Sequence, residues 1–145
     1  MTNLETYTVT AGSSHADAAR ASRLILGTMQ GSVARYETDI PTASADWPPA
    51  VTSAAKVLRG VAARVERGGY ARTGVITYAD DEVWSAFVEF APWAYDATVW
   101  NSAGDDIVSL ADEAHSIVIR VDPHQQAAIT AALPDNPLRT TRKSR

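Results

Sequence analysis

The fold is decided by residues 107–121, which read IVSLADEAHSIVIRV. Residues 107–111 and 116–121 are rich in the β-branched side chains that pack well on a pleated sheet. Residues 112–115 are polar or small and separate the two runs, as the turn of a hairpin does. The stretch therefore predicts two antiparallel strands joined by a polar turn.

Alternation with a period of two predicts further strands around this hairpin, at 4–10, 83–90 and 97–100. Residues 75–79 alternate as well and end at the pair Asp80-Asp81, which is predicted as a turn. Residues 32–37 are a short strand candidate. In 83–90 the alternation would place Trp84 and Phe90 on one face of the sheet and Phe87 on the other.

Three segments carry helix signals. The first, 14–30, begins at Ser14, whose hydroxyl can accept a backbone N–H at the helix start. The second follows Pro48-Pro49 and has the clearest helical periodicity of the chain, with apolar residues recurring every three or four positions from Val51 to Val65. A short C-terminal helix is predicted at 124–133.

These elements predict an α+β fold with an antiparallel sheet of about five strands and two main helices packed on one face. The predicted order is β-α-(β?)-α-β-β-β-β-α, with a short helix at the end. The length of 145 residues suits one domain. We assign residues 1–137 to that domain and residues 138–145 to a basic, flexible tail.

Composition narrows the class of protein. The chain has no cysteine, which excludes disulfides, thiolate zinc sites and cysteine nucleophiles. No apolar run approaches the roughly 18 residues of a membrane span. The first ten residues lack the basic and then apolar pattern of a secretory signal. We therefore expect a soluble, cytoplasmic protein without a membrane partner.

Charge is distributed unevenly along the chain. The formal net charge is −4, but residues 73–122 hold ten acidic residues and only one base, Arg120, and so carry −9. The last seven residues carry +4, which leaves −8 on the rest of the chain. Because such a body repels phosphates, direct nucleic-acid binding is not expected. The asymmetry indicates a basic partner instead.

The tetrapeptide Asp112-Glu113-Ala114-His115 resembles the magnesium-binding box of one helicase class. Those enzymes also need a glycine-rich loop whose lysine holds the phosphates. This chain has two lysines, Lys56 and Lys143, and neither ends such a loop. A polar hairpin turn is therefore the better interpretation of the tetrapeptide.

Sequence motifs for catalysis or metal binding are missing from the chain. Its three histidines are scattered, with no HExxH pair, and no serine lies in a GxSxG elbow. The acidic pairs Asp80-Asp81 and Asp105-Asp106 lie in predicted turns, where aspartate is common for conformational reasons. We predict no catalytic residue, metal site or cofactor.

Aromatic residues coincide with the acidic segment. Seven of the eleven aromatic side chains lie between residues 78 and 100. With helices on one face only, some of these rings would be exposed among carboxylates, as at tight protein interfaces. The predicted partner contacts are Asp80, Asp81, Glu82, Trp93, Tyr95, Asp105 and Asp106.

We therefore predict a non-enzymatic protein-binding module of the immunity or inhibitor type, which masks a basic protein with an acidic, aromatic sheet surface. In size, charge and architecture the chain is similar to small cysteine-free acidic proteins that neutralise toxins. One alternative is a ligand-binding or catalytic domain, with a pocket lined by Trp84, Phe90 and the face of 51–65. In that pocket Glu113 or His115 would titrate. Another is a phage or homo-oligomeric assembly component that uses the tail or an open sheet edge.

Overall fold

The computed structural model describes residues 3–10, 12, 14–41, 46–65 and 71–140. Within these ranges the chain forms one seven-stranded antiparallel sheet and four α-helices. The strands are β1 (Glu5–Val9), β2 (Arg35–Thr38), β3 (Ile76–Thr77), β4 (Asp96–Trp100), β5 (Asp106–Ala111), β6 (Ser116–Val121) and β7 (Leu138–Thr140). The helices are α1 (His15–Met29), α2 (Pro49–Ala62), α3 (Asp81–Phe90) and α4 (Pro123–Ala132).

The predicted α+β class, with an antiparallel sheet, is confirmed. The strand order is β3-β2-β4-β5-β6-β1-β7, and every pairing is antiparallel. The sheet has seven strands rather than about five: the candidate at 32–37 forms β2, and β7 was not predicted. The element order is accordingly β-α-β-α-β-α-β-β-β-α-β among the described residues.

Side chains on one face of the sheet are buried beneath the helices. Tyr36, Val99, Val108, Ile119 and Tyr7 form one row of paired residues across five neighbouring strands, and all are buried. Side chains one position along each strand point to the other face. Apart from Ile107, which is buried where the register of β4 and β5 shifts, that face stays at least partly accessible and carries mainly threonine, serine and charged residues. The core therefore lies between the sheet and the helix layer, on one side only.

Helix α3 replaces the strand predicted at 83–90, and that prediction is wrong. Asp80 is the N-cap of α3: its carboxylate accepts a hydrogen bond from the Val83 amide at 2.9 Å. Asp81 and Glu82 follow in the first turn, where negative charge stabilises the helix dipole. The spacing of Trp84, Phe87 and Phe90 puts all three on the buried side of the helix, so Phe87 lies in the core rather than on an outer sheet face.

The two predicted main helices are confirmed as α1 and α2, and their ends lie within about three residues of the predicted apolar stretches. Ser14 accepts from the Asp17 amide and caps α1. Helix α2 has Pro49 in its first turn and buries the predicted apolar stripe, including Val51, Leu58 and Val61. The predicted stop of this helix, Gly68-Gly69, lies outside the described residues.

The C-terminal segment differs from the predicted tail. Leu138–Thr140 pair with β1 as the edge strand β7. Asn136, buried just before it, donates its side-chain amide to the Thr10 carbonyl at 2.8 Å. The sheet thus extends into the range assigned to the tail, and residues 141–145 lie outside the described part of the chain.

Candidate partner-binding site

The seven aromatic residues between 78 and 100 are divided among three environments. Trp84, Phe87 and Phe90 are buried in the core, and Tyr78 and Trp93 are half-buried against it. Trp100 is half-buried on the uncovered face of the sheet. Tyr95 is 62% exposed. The predicted core positions of Trp84 and Phe90 agree with this, whereas the outward position predicted for Phe87 is wrong, because α3 turns its ring inward.

Tyr95 nevertheless lies close in the backbone to four acidic residues, at the end of the sheet where β4 begins. The surface formed there, which we call the Tyr95 surface, comprises Trp93, Tyr95, Asp39, Asp96, Asp112 and Glu113. These residues come from three separate parts of the chain: the end of β2, the start of β4 and the β5–β6 turn. Backbone pairing of β2, β4 and β5 brings the three together.

The Asp39 side chain holds the backbone of Tyr95 in place through hydrogen bonds. Its Oδ1 atom accepts hydrogen bonds from the amides of Tyr95 at 2.9 Å and Asp96 at 3.0 Å. The Asp39 amide donates in turn to the Asp96 carbonyl at 3.1 Å. Bonds to an ionised acceptor are stronger than neutral ones. The entry to β4 is therefore held in place by a carboxylate that lies 56 residues away in the sequence.

The β5–β6 turn is held against the same segment. The Asp112 amide donates to the Tyr95 carbonyl at 3.1 Å, and the Glu113 amide donates to the Ala94 carbonyl at 3.0 Å. The predicted polar turn at 112–115 is confirmed. Its conformation is unusual, since Asp112, Glu113 and Ala114 have φ angles of 53°, 56° and 65°. Residues other than glycine rarely adopt this left-handed backbone conformation, which costs each of them roughly 1–2 kcal/mol.

The strain in the turn is offset by packing and hydrogen bonds. Ala114 is fully buried, and the His115 amide donates to the Asp112 carbonyl at 3.1 Å. Strained backbone persists only where its surroundings over-determine it, and it concentrates at functional sites. We infer that the turn holds Asp112 and Glu113 at fixed positions beside Tyr95.

Two histidines border the Tyr95 surface. The His15 Nε2 atom lies 2.8 Å from the Pro92 carbonyl oxygen, and the ring centroid of His15 is 4.2 Å from that of Trp93. The His115 ring centroid is 6.0 Å from that of His15. Within the described ranges, no three His, Cys, Asp or Glu side chains are grouped as a metal site requires. The ring contacts instead stabilise the position of Trp93.

The other predicted contacts lie elsewhere. Asp80 caps α3, Asp81 accepts a hydrogen bond from the Tyr78 hydroxyl, and Glu82 is exposed in the first turn of α3. Asp105 and Asp106 lie at the far end of β4, at 3.9 and 3.2 Å from the Arg120 guanidinium. The five residues of β4 separate the two ends of the sheet by roughly 17 Å. Of the seven predicted contacts, the structure thus brings only Trp93 and Tyr95 together in the Tyr95 surface.

Asp39, Asp96, Asp112 and Glu113 were not among the predicted contacts. The sequence signal for Asp112 and Glu113 was their place in a predicted hairpin turn, and for Asp96 its place directly after Tyr95. No local signal marks Asp39, because only the pairing of β2 with β4 brings it to Tyr95.

The uncovered sheet face carries bases as well as acids, and one of the bases, Arg72, also borders the Tyr95 surface through its backbone bridge to Asp39. Arg72 pairs with Glu37 at 3.3 Å, and Arg120 pairs with Asp106. Arg35 lies beside Trp100 on this face. Because bases are interspersed with acids there, the face does not select strongly for a basic partner.

Comparison with protein-family models, curated proteins and solved structures found no match to this chain. In the part of the chain that the structure describes, no helix is long and apolar enough to span a membrane.

Proposed function

We propose that this protein is a non-enzymatic protein-binding module of the immunity or inhibitor type. It would mask a basic protein, such as a nuclease or another nucleic-acid-binding protein, with the Tyr95 surface. The observation that carries the proposal is the exposed Tyr95 ring on a backbone segment that hydrogen bonds join to Asp39, Asp112 and Glu113, with Asp96 as its chain neighbour.

The ring and the carboxylates have complementary roles in such an interface. Tyr95 is the most exposed large apolar side chain among the described residues; Val75 and Leu24 follow at 45% and 37%. A tyrosine at the centre of an interface buries a large area at low entropic cost and is often a hot spot. The carboxylates attract a basic partner and discriminate against acidic ones.

Pre-organisation supports the same proposal. Binding is weakened by the entropy lost when flexible segments become ordered. The Tyr95 segment and the β5–β6 turn are already joined by the bonds of Asp39, Asp112 and Glu113. We therefore expect the complex to form with little backbone rearrangement of this protein.

A basic partner is favoured over a nucleic acid. The chain carries a net charge of −4, and the four carboxylates of the Tyr95 surface would repel phosphates. A nuclease has a basic surface that binds those phosphates. Carboxylates docked on that surface would compete with the nucleic acid and so inhibit the enzyme.

The Tyr95→Ala substitution should weaken such a complex by about 30-fold or more, since an aromatic hot spot contributes about 2 kcal/mol or more. Binding would be measured by biolayer interferometry against a panel of purified basic nucleases. Leu24→Ala, which truncates an exposed side chain on α1, is the matched control and should leave affinity unchanged. Equal affinities of the Tyr95→Ala variant and the unmodified protein would contradict the proposal. If no nuclease binds and the protein is a multimer by mass, an assembly role would be favoured instead.

A further inference from the structure

Two histidines lie side by side at the border of the Tyr95 surface. His15 is the first residue of α1, and His115 is the last residue of the β5–β6 turn. Although they are far apart in the sequence, their ring centroids are 6.0 Å apart and their ring planes are inclined by 35°. His15 is half-buried and His115 is exposed. A dissolved ion can therefore reach the pair.

Hydrogen bonds to the backbone determine which nitrogen of each ring carries the hydrogen. The Nε2 atom of His15 lies 2.8 Å from the Pro92 carbonyl oxygen, and the Nδ1 atom of His115 lies 2.9 Å from the Asp112 carbonyl oxygen. Because a carbonyl oxygen can only accept a hydrogen bond, both of these nitrogens are donors. In the neutral rings the lone pairs are therefore on the opposite nitrogens, Nδ1 of His15 and Nε2 of His115.

This arrangement is typical of histidines that bind a metal ion. A metal-bound histidine almost always donates its other ring N–H to a backbone carbonyl, a carboxylate or water, which fixes the orientation of the ring. Two imidazoles that share one ion at metal–nitrogen distances of about 2.0–2.1 Å have their centroids roughly 4.5–6.5 Å apart, depending on the angle at the metal. The observed separation of 6.0 Å lies within this range.

Both histidines are held by their surroundings. The His15 ring packs edge to face against Trp93, with the centroids 4.2 Å apart and the planes at 66°. His115 directly follows the three left-handed residues of the β5–β6 turn, and its amide donates to the Asp112 carbonyl at 3.1 Å. Because less freedom is lost on binding, such pre-organisation favours a ligand that the two rings share.

Charge and ligand type point to one class of ion. Asp112 and Glu113 belong to the same turn as His115, and Asp17 lies in the first turn of α1 with His15. No lysine or arginine lies within three residues of either histidine in the sequence, so the local charge favours a cation. Imidazole suits Zn²⁺, Ni²⁺ and Cu²⁺, whereas Mg²⁺ and Ca²⁺ prefer oxygen ligands.

We propose that Nδ1 of His15 and Nε2 of His115 together bind one divalent ion of the Zn²⁺, Ni²⁺ and Cu²⁺ class. Among the described residues, no group of three His, Cys, Asp or Glu side chains could hold a metal, so water fills the remaining positions around the ion. The site is therefore open, unlike the closed site of a structural zinc with four protein ligands. Binding requires only the free protein and does not depend on the basic partner proposed above.

Isothermal titration calorimetry of the full chain with Zn²⁺, in a buffer that does not bind metals, tests this proposal. We expect one ion per chain. His15→Gln and His115→Gln should each weaken binding about tenfold or more, because losing even an outer-shell partner of a metal-bound histidine costs about 10- to 100-fold in affinity. His124→Gln, which changes the exposed third histidine at the start of α4, is the matched control and should leave affinity unchanged. Unchanged affinity of the His15→Gln and His115→Gln variants, or no binding of Zn²⁺ by the unmodified protein, would overturn the proposal.

NMR spectroscopy with Cu²⁺ locates the ion without any substitution. Paramagnetic Cu²⁺ broadens the signals of nearby nuclei, so the backbone amide signals of His15, Trp93 and His115 should disappear first, while that of His124 persists. Excess Mg²⁺ should not restore the lost signals, because it competes for carboxylates rather than for imidazole. Broadening centred on His124, or signals that return with Mg²⁺, would show that other groups bind the ion and refute the two-histidine site.

Discussion

Reversing the charges of Asp96 and Asp112 together should slow association with a basic partner by about tenfold or more at low salt. Both residues are exposed, and both belong to the Tyr95 surface. Charges around an interface steer diffusional encounter, so reversal acts mainly on the association rate. The Asp96→Lys/Asp112→Lys variant should also show a weaker salt dependence than the unmodified protein. Stopped-flow association rates at several salt concentrations measure both effects.

A matched variant separates local charge from net charge. Glu5→Lys/Glu82→Lys also changes the formal net charge from −4 to 0 and reverses exposed residues outside the Tyr95 surface. We expect its association rate to fall much less. If both variants slowed association equally, the association rate would depend on the net charge of the protein and not on the charges of the Tyr95 surface. A larger effect in the matched variant would move the interface away from the Tyr95 surface.

Replacing Phe87 by alanine should lower the free energy of unfolding by about 3–5 kcal/mol, as large-to-small changes of buried phenylalanines do. Phe87 is fully buried, and its ring centroid lies 4.7 Å from that of Tyr36 and 5.4 Å from that of Trp84. Urea unfolding followed by circular dichroism gives the change directly.

Val88→Ala is the control for Phe87→Ala. Val88 is half-buried on α3, so its truncation should cost clearly less. A strand at 83–90 would reverse this order, because Val88 would then share the inner face with Trp84 while Phe87 faced solvent. A larger effect of Val88→Ala would therefore contradict the helix.

The sequence predicted elements well where one period was dominant. In α2 the apolar positions fit only a helix, and in residues 107–121 two β-branched runs flank a polar turn. Residues 83–90 are different, since Val83, Trp84, Ala86, Phe87, Val88 and Phe90 are all apolar and satisfy both periods. The deciding signal was local: Asp80 followed by two acids is a helix start. Strand β7 is only three residues long and acquires its structure by pairing with β1.

The candidate site was predictable only in part. Tyr95 and Trp93 follow α3 in a short connection and were predicted as contacts. Asp39 could not be predicted as a contact, because its position beside Tyr95 depends on the pairing of β2 with β4. The left-handed turn was also unpredictable, since Asp112-Glu113-Ala114 contains no glycine to indicate positive φ angles. Tertiary pairing, rather than local preference, determines both features.

Hydroxyl-radical footprinting of the complex with a bound basic nuclease shows whether the Tyr95 surface contacts the partner, because mass spectrometry reports the oxidation rate of each aromatic side chain. We expect Tyr95, which is 62% exposed in the free protein, to become strongly protected, while Trp100 on the uncovered sheet face reacts at an unchanged rate. Protection of Trp100 with Tyr95 still reactive would place the interface on the sheet face and refute binding through the Tyr95 surface.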